Sequence, residues 1–307
     1  MTVLDVATIA EEIARVRTVV ATAWVGRPAV LDAVLLAWIA GGHALLEDVP
    51  GVGKTSLALA LAAATGLRAG RLQGTGDLLP SDLTGAATLD PASGQLRFQP
   101  GPIHTELLVV DELNRMSPRT QSALLEAMAE RAVTVDGVRH PLPPSFFVLA
   151  TQNPEGAAGT WPLPDSQLDR FLVRGGLGYP DREGERRLLR GPVTLPSACV
   201  GPDQVTRWQA AAVAVRMVAD LEDALLDVVT ATRAAPSLHR GISPRGAAAW
   251  ARAARASAVM AARGYVVPDD LAATAPWVLA HRVVARRPGT EAAEVGAIVA
   301  ERLRALA

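Results

Sequence analysis

With 307 residues, half of them hydrophobic, the chain can bury a full core and exceeds the usual length of a single domain. Its 30 Lys and Arg residues nearly balance 31 Asp and Glu residues, so the charge pattern gives no reason to expect nucleic-acid binding. The single cysteine, Cys199, excludes an internal disulfide framework and is typical of a reducing cytosol, which predicts a cytoplasmic protein.

The N-terminal region does not have the pattern of a secretory signal. Asp5, Glu11 and Glu12 are scattered among apolar residues, which predicts an amphipathic helix. The most hydrophobic stretch, residues 30–46, is interrupted by Asp32 and two glycines and is too short to span a bilayer. We therefore expect a buried helix, a turn and a strand there, and no membrane span.

Short apolar runs alternate with helical patterns through about residue 178, which predicts a largely parallel sheet flanked by helices. The runs do not alternate with polar residues, as expected for strands covered on both faces. The five predicted strands are Ala44 to Val49, Arg68 to Gln73, Leu107 to Val110, Phe146 to Thr151 and Arg170 to Gly175.

Two other stretches, residues 88–98 and 133–140, alternate around turn residues and predict hairpins inserted into this sheet domain. Beyond Tyr179 strand signals stop, and helical patterns continue to Ala307. The predicted fold is therefore α/β, with a nucleotide-binding core over residues 1–178 and an all-helical lid over residues 179–307.

A glycine-rich loop with the pattern of a P-loop follows the first predicted strand and opens a helix. Such a loop turns backbone N–H groups toward phosphate oxygens, while Lys54 reaches the β and γ phosphates and the Thr55 hydroxyl ligates Mg²⁺. Asp48 stands where the strict pattern has its first glycine, which leaves an ordinary glycine turn as the alternative. The residues expected to bind ATP are Pro50, Gly51, Val52, Gly53, Lys54, Thr55 and Ser56.

An apolar strand ending in Asp111 and Glu112 follows downstream and has the form of a Walker B motif. We expect Asp111 to hold Mg²⁺ and Glu112 to polarise the attacking water as general base. Two acids that cap a turn are the alternative.

The next predicted strand ends at Asn153, on the same carboxyl edge of the sheet. Its amide would position the water against the γ-phosphate. Because asparagine before proline is also a common turn signal, a purely structural role stays open.

Two arginines are candidates for stabilising the phosphates. Arg170 opens the last predicted strand and could serve a neighbouring subunit in trans; the alternative is a surface salt bridge with Asp165 or Asp169. Arg245 follows Ser243 and a proline at a helix N-terminus, where a cation is misplaced unless an anion lies nearby; the alternative is a solvent-facing arginine.

With these elements in order, the chain resembles the MoxR family of AAA+ ATPases, within the clade that includes the magnesium-chelatase motor subunits. The blocks that carry the resemblance are Leu45 to Thr55, Leu78 to Gly85, Asp111 to Arg115, Ser117 to Met128, Ala150 to Pro154 and Leu163 to Phe171. It implies Lys54 and Thr55 in Walker A, Asp111 and Glu112 in Walker B, Asn153 as sensor 1, Arg170 as trans arginine finger and Arg245 as sensor 2.

The resemblance also implies a biological setting. By this resemblance, we expect a chaperone-like remodelling motor that works as a hexamer on a protein client. A separate von Willebrand factor A domain protein is expected as its partner. The two hairpins are where we expect force to be transmitted. The alternatives are a chelatase-type motor subunit and a nucleotide-gated binding module that barely hydrolyses ATP.

Several other residues are assigned no function. The five histidines lack the spacing of metal ligands, so no metal beyond Mg²⁺ is expected. Trp208, Trp250 and Trp277 fall in helical patterns and are interpreted as core. The cluster of Arg282, Arg286 and Arg287 is interpreted as a solvated helix end.

Overall fold

The computed structural model describes residues 5–47, 53–91, 94–153, 159–191 and 194–304. The helices α1 to α12 span Val6–Ala23, Pro28–Ile39, Lys54–Thr65, Pro80–Thr84, Pro118–Glu130, Asp165–Leu168, Arg182–Leu189, Pro202–Ala214, Ala219–Ala234, Pro244–Met260, Pro268–Leu279 and Glu291–Leu303. The strands β1 to β11 span Ala44–Glu47, Ala69–Gln73, Gly85–Leu89, Leu96–Pro100, Leu107–Asp111, Ala132–Val135, Val138–Pro141, Phe147–Gln152, Val173–Gly176, Leu238–Arg240 and Val284–Ala285.

The central sheet is parallel and has five strands in the order β2-β5-β8-β1-β9. These are the five predicted strands. Strands β5 and β8 are buried along their whole length, which explains their unbroken apolar sequences. Because all the strands run the same way, the carboxyl ends of β1, β5 and β8 lie at one edge of the sheet.

Both predicted hairpins are present, formed by β3 with β4 and by β6 with β7. In the second, Asp136 and Gly137 have φ of 50° and 78°, as a tight two-residue hairpin turn requires. The Phe98 ring of the first hairpin stacks on the His140 ring of the second with 3.8 Å between centroids. The two insertions therefore touch each other.

Helices dominate the second region, as predicted. It also contains a small antiparallel sheet of β10 and β11, which the sequence interpretation did not include. Strands of three and two residues are too short to show a periodic pattern, so their pairing depends on tertiary contact.

A continuous apolar cluster joins the two regions. It contains side chains of α1 and α2, one face of the sheet and the helices α8 to α12. Trp208 and Trp250 are buried within it and Trp277 packs against it, which confirms their interpretation as core. Within the described residues, no helix is both long and apolar enough to cross a membrane.

Candidate nucleotide-binding and hydrolysis site

The loop that opens α3 is described from Gly53 onward; Pro50, Gly51 and Val52 lie outside the described residues. Gly53 has φ of 89°, a left-handed conformation that glycine adopts without a steric penalty. The indole Nε1 of Trp24 donates to the Gly53 carbonyl at 3.1 Å, so the end of α1 supports this turn. Lys54 and Ser56 then lie in the first turn of α3, where the helix dipole favours a bound anion.

Thr55 and Asp111 face each other across the carboxyl edge of the sheet. The Thr55 hydroxyl lies 3.3 and 3.2 Å from the two carboxylate oxygens of Asp111. Arg71, on β2, donates its Nε to the same carboxylate at 2.9 Å. The sequence interpretation missed Arg71, which lies one strand away from Asp111 in space but 40 residues away in the chain.

The Glu112 carboxylate is held by three donors. Asn153 Nδ2 donates to Oε1 at 3.0 Å, while Gln73 Nε2 and Arg115 Nη1 donate to Oε2 at 2.9 and 3.2 Å. The backbone of Glu112 has φ of 55°, a strained conformation for a residue with a side chain and one that is enriched at functional sites. Gln73 and Arg115 were not among the predicted site residues.

Asn153 connects the two halves of the site. Its Oδ1 accepts from Lys54 Nζ at 3.2 Å, on the opposite side of the amide from the contact with Glu112. Its backbone carbonyl accepts from Asn114 Nδ2 at 3.3 Å. The amide therefore lies between the candidate phosphate-binding lysine and the candidate general base, contacts that a simple turn residue would not require.

A glycine makes this packing possible. The Gly74 amide donates to the Asp111 carbonyl at 2.7 Å, and a Cβ at Gly74 would lie 2.2 Å from the Glu112 carbonyl oxygen. The backbone after β2 can approach Asp111 and Glu112 this closely only because residue 74 has no side chain.

The residues present fit Mg²⁺ and a nucleoside triphosphate. A hydroxyl and a carboxylate at the sheet edge supply the hard oxygen ligands that Mg²⁺ prefers, and a lysine at a helix N-terminus suits phosphate. Thr55 and Asp111 would hold the metal and Lys54 the phosphates. When bound, Mg²⁺ neutralises charge that develops on the phosphate oxygens.

Arg170 and Arg245 lie elsewhere. Arg170 precedes β9, at the amino edge of the sheet, and its Nη1 donates to the Leu125 carbonyl at 2.9 Å. Arg245 is exposed in the first turn of α10, beside Ser243, whose hydroxyl accepts the Gly246 amide at 3.0 Å. The described residues do not place either arginine in contact with the Walker residues, and both roles remain predictions.

The alternative salt bridge for Arg170 is not formed. Asp165 pairs with Arg240 at 2.8 Å, and Asp169 pairs with Arg282 at 2.7 Å. The interpretation of Arg282 as a solvated helix end was wrong, because only 2% of its side chain is exposed. Burial lowers the pKa of this arginine to about 10, against the opposing effect of Asp169, so the side chain is charged at neutral pH.

Comparisons with known proteins agree with this architecture. Residues 43–173 match the family described as ATPase family associated with various cellular activities (AAA), and residues 230–302 match the AAA lid domain. The chain is 43% identical over 265 residues to YeaC of Bacillus subtilis, covering 85% of this chain and 83% of YeaC. It is 37% identical over 272 residues to chaperone MoxR1 of Mycobacterium tuberculosis, covering 85% of this chain and 72% of MoxR1. The chain belongs to the MoxR family of AAA ATPases.

A solved structure extends the likeness to the whole MoxR-type fold. A crystal structure of a Cytophaga hutchinsonii protein thought to be an ATPase superposes with a TM-score of 0.86 at 34% identity, covering 98% of this chain and 96% of that one. The core and the lid of this MoxR-family protein therefore have the same arrangement as in that relative.

Proposed function

We propose that this protein hydrolyses ATP with Mg²⁺ and uses the energy to remodel or activate a protein partner. The observation that carries the proposal is the contact of Asn153 with both Lys54 and Glu112, at 3.2 and 3.0 Å. A phosphate-binding cation, a water-positioning amide and a carboxylate base are the three groups that γ-phosphate hydrolysis needs in one place.

In this mechanism each side chain has one task. Lys54 and Thr55 hold the triphosphate and its metal, with Asp111 opposite Thr55. Glu112 polarises the attacking water, which Asn153 orients. Gln73 and Arg115 donate to the same carboxylate, so we expect these two donors to orient Glu112.

We further propose that the protein works as a ring, most simply a cytoplasmic hexamer. Arg170 precedes β9 at the amino edge of the sheet, opposite the carboxyl edge where Thr55 and Asp111 lie, so we expect it to act on a neighbour's nucleotide. Arg245, in the first turn of α10, is proposed to contact nucleotide phosphate as sensor 2. One guanidinium supplied across such an interface is worth roughly 10³ to 10⁵ in rate.

The hairpins are the proposed surface for the client. Leu89 and Leu96 at the tip of the first hairpin are 63% and 74% exposed, and Val138 in the second is 57% exposed. Apolar side chains on two touching hairpins suit contact with another protein. The MoxR1 relative is named a chaperone, which supports a protein client here. A separate von Willebrand factor A domain protein is the expected adapter.

The test measures steady-state ATP hydrolysis against protein concentration for wild type, Glu112→Gln and Arg170→Ala, alone and mixed. We expect specific activity to rise with concentration and Glu112→Gln to lose at least about 10² in rate. Arg170→Ala should be as inactive as that variant, and mixing the two should restore turnover. Arg302→Ala, which removes an exposed arginine of α12, is the matched control and should be normal.

A flat concentration dependence together with a normal Arg170→Ala variant would contradict the ring. The protein would then be a self-contained nucleotide switch. An inactive wild type that still binds ATP tightly at every concentration would instead favour a binding module.

A further inference from the structure

Arg282 binds the segment that carries Arg170. This segment, residues 165–172, is called the finger segment below. The Arg282 Nε donates to the Asp169 carboxylate at 2.7 Å, and Nη2 donates to the carbonyls of Asp169 and Phe171 at 3.1 and 2.7 Å. Nη1 donates to the Leu172 carbonyl at 3.1 Å and also contacts the Val278 carbonyl. Four of these five acceptors lie within three residues of Arg170.

Other lid residues contact the same segment. Arg240 pairs with Asp165 at 2.8 Å, and the His281 ring lies 3.1 Å from the Phe171 carbonyl. Burial lowers the pKa of His281 well below its usual value, with the Arg282 charge adding to the effect, so His281 is neutral beside it. Arg240 is about half exposed, so Arg282 is the buried charged group in this contact.

Leu168 and Phe171 anchor the finger segment in the apolar core of its own domain, whereas Arg170 itself makes little polar contact there. Arg170 donates one hydrogen bond, to Leu125, and its buried Nε has no hydrogen-bond partner among the described residues. The backbone around Arg170 is thus bound on both sides by the lid. A guanidinium fork can reach several carbonyls and a carboxylate at once, which a lysine ammonium cannot do in the same geometry.

Asp169 also connects this segment to the helix that carries Arg245. The Ser243 hydroxyl, which caps α10, lies 3.4 Å from the second carboxylate oxygen of Asp169. Arg245 is close enough to Arg282 for its charge to lower the Arg282 pKa. The two predicted phosphate-sensing arginines therefore belong to one connected group of side chains.

We infer that Arg282 is a positioning residue that ties the finger segment to the lid. When the lid of a chain moves, Arg170 of the same chain, which faces a neighbouring subunit, moves with it. The inference rests on the proposed trans role of Arg170. It predicts that Arg282 acts on the neighbour's nucleotide and not on the nucleotide bound by its own chain.

The experiment tests on which side of the subunit interface the Arg282→Gln substitution impairs ATP hydrolysis. Alone, this variant should bind a fluorescent ATP analogue with wild-type affinity but hydrolyse ATP at least tenfold more slowly. Mixed with Glu112→Gln, it should recover, because the partner supplies an intact finger segment. With random mixing at equal amounts, recovery should reach about a quarter of the wild-type rate per subunit. Mixed with Arg170→Ala, it should stay inactive, because both subunits lack the same contribution.

Two further variants serve as a conservative change and a control. Arg282→Lys keeps the charge but loses the fork, so it should recover only part of the activity. Arg286→Gln removes an exposed neighbour that donates to the Pro236 carbonyl, and it should behave as wild type.

The outcomes separate this inference from the ring proposal. Suppose that Arg170→Ala complements Glu112→Gln but that a folded, nucleotide-binding Arg282→Gln does not. The inference about Arg282 is then overturned, while the ring proposal stands. If Arg170→Ala itself is normal, the ring proposal has failed. Should Arg282→Gln not fold, Asp169→Asn keeps the side-chain shape and carries the same expectation. Loss of fold in both variants would also overturn the inference, because the contact would then serve the fold.

Discussion

Buried histidines in this protein serve packing and hydrogen bonding. The His43 Nδ1 accepts the Val148 amide at 3.0 Å, so Nε2 carries the proton that is shared with the Met128 carbonyl at 3.3 Å. Both ring nitrogens are satisfied only in the neutral form. Burial, opposed in part by the Met128 contact, lowers the pKa of His43 to about 3. His43 therefore links β1 to β8 below the site, without a role in its chemistry.

This neutral histidine predicts a pH-dependent stability. The pKa of His43 in the folded protein lies below its unfolded value of about 6.5. Below about pH 6.5 the unfolded chain therefore binds a proton at His43 that the folded chain does not bind. The free energy of unfolding consequently falls as the pH drops below about 6.5. His43 alone should lower the free energy of unfolding by about 2 kcal/mol between pH 7 and pH 5. Urea denaturation at the two pH values measures it. His43→Gln should lose this part of the pH dependence, and the exposed His239→Gln should keep it. An unchanged dependence in His43→Gln would contradict the assignment.

At the scale of elements, the register of the parallel sheet brings the residues of the candidate site together at one edge. Gln73 pairs with Asp111 along β2 and β5, so the chain leaving β2 runs directly beside Glu112. Gly74 allows this approach, since its amide bonds to the Asp111 carbonyl. The Gly-Thr-Gly sequence indicates a turn. Only the pairing of β2 with β5 shows why its first residue is glycine: a side chain there would meet the Glu112 backbone.

Two glycine substitutions test this packing. In Gly74→Ala the added Cβ would meet the Glu112 backbone, so we expect a loss of about 1 to 3 kcal/mol in the free energy of unfolding and reduced ATP hydrolysis. Gly296→Ala is the matched control: it lies within α12 with nothing within 4 Å, and alanine there should stabilise by about 0.5 to 1 kcal/mol. Chemical denaturation of both variants gives the comparison. Equal stability of the two would mean that Gly74 is not confined as described.

At the scale of the whole molecule, a buried carboxylate ties the N-terminal helix to the second region. Glu12, on α1, accepts from Trp208 Nε1 at 2.8 Å and from Arg207 Nη2 at 2.7 Å, both on α8. Trp208 is almost fully buried in the shared apolar cluster. The contact is therefore expected to resist separation of α8 from the core.

Removing this carboxylate should weaken the whole fold. Glu12→Ala leaves the Trp208 N–H buried without an acceptor, which costs about 1 to 3 kcal/mol. The neighbouring Glu11→Ala removes an exposed carboxylate and should stay within about 0.5 kcal/mol of wild type. Thermal unfolding followed by circular dichroism compares them. If Glu12→Ala were as stable as Glu11→Ala, the tether would contribute nothing to stability.

The sequence by itself determined the five core strands and both hairpins. It also determined that Lys54 and Thr55 open a helix and that Asp111, Glu112 and Asn153 lie at strand ends. These features are local, because a buried strand must be apolar throughout and a phosphate loop needs its residues in fixed succession.

Only the tertiary structure decided which distant side chains meet. Arg71 and Gln73 reach the two Walker B acids because β2 pairs with β5, although about 40 residues separate them in the chain. Arg282 belongs to a cluster of arginines whose sequence suggests exposed side chains. It is nevertheless buried against Asp169, 113 residues earlier in the chain. Periodicity reports the burial of a residue's own element, whereas the partner of a buried charge depends on how the elements pack. That is why the sequence identified the residues expected to act on ATP but not those that hold them in place.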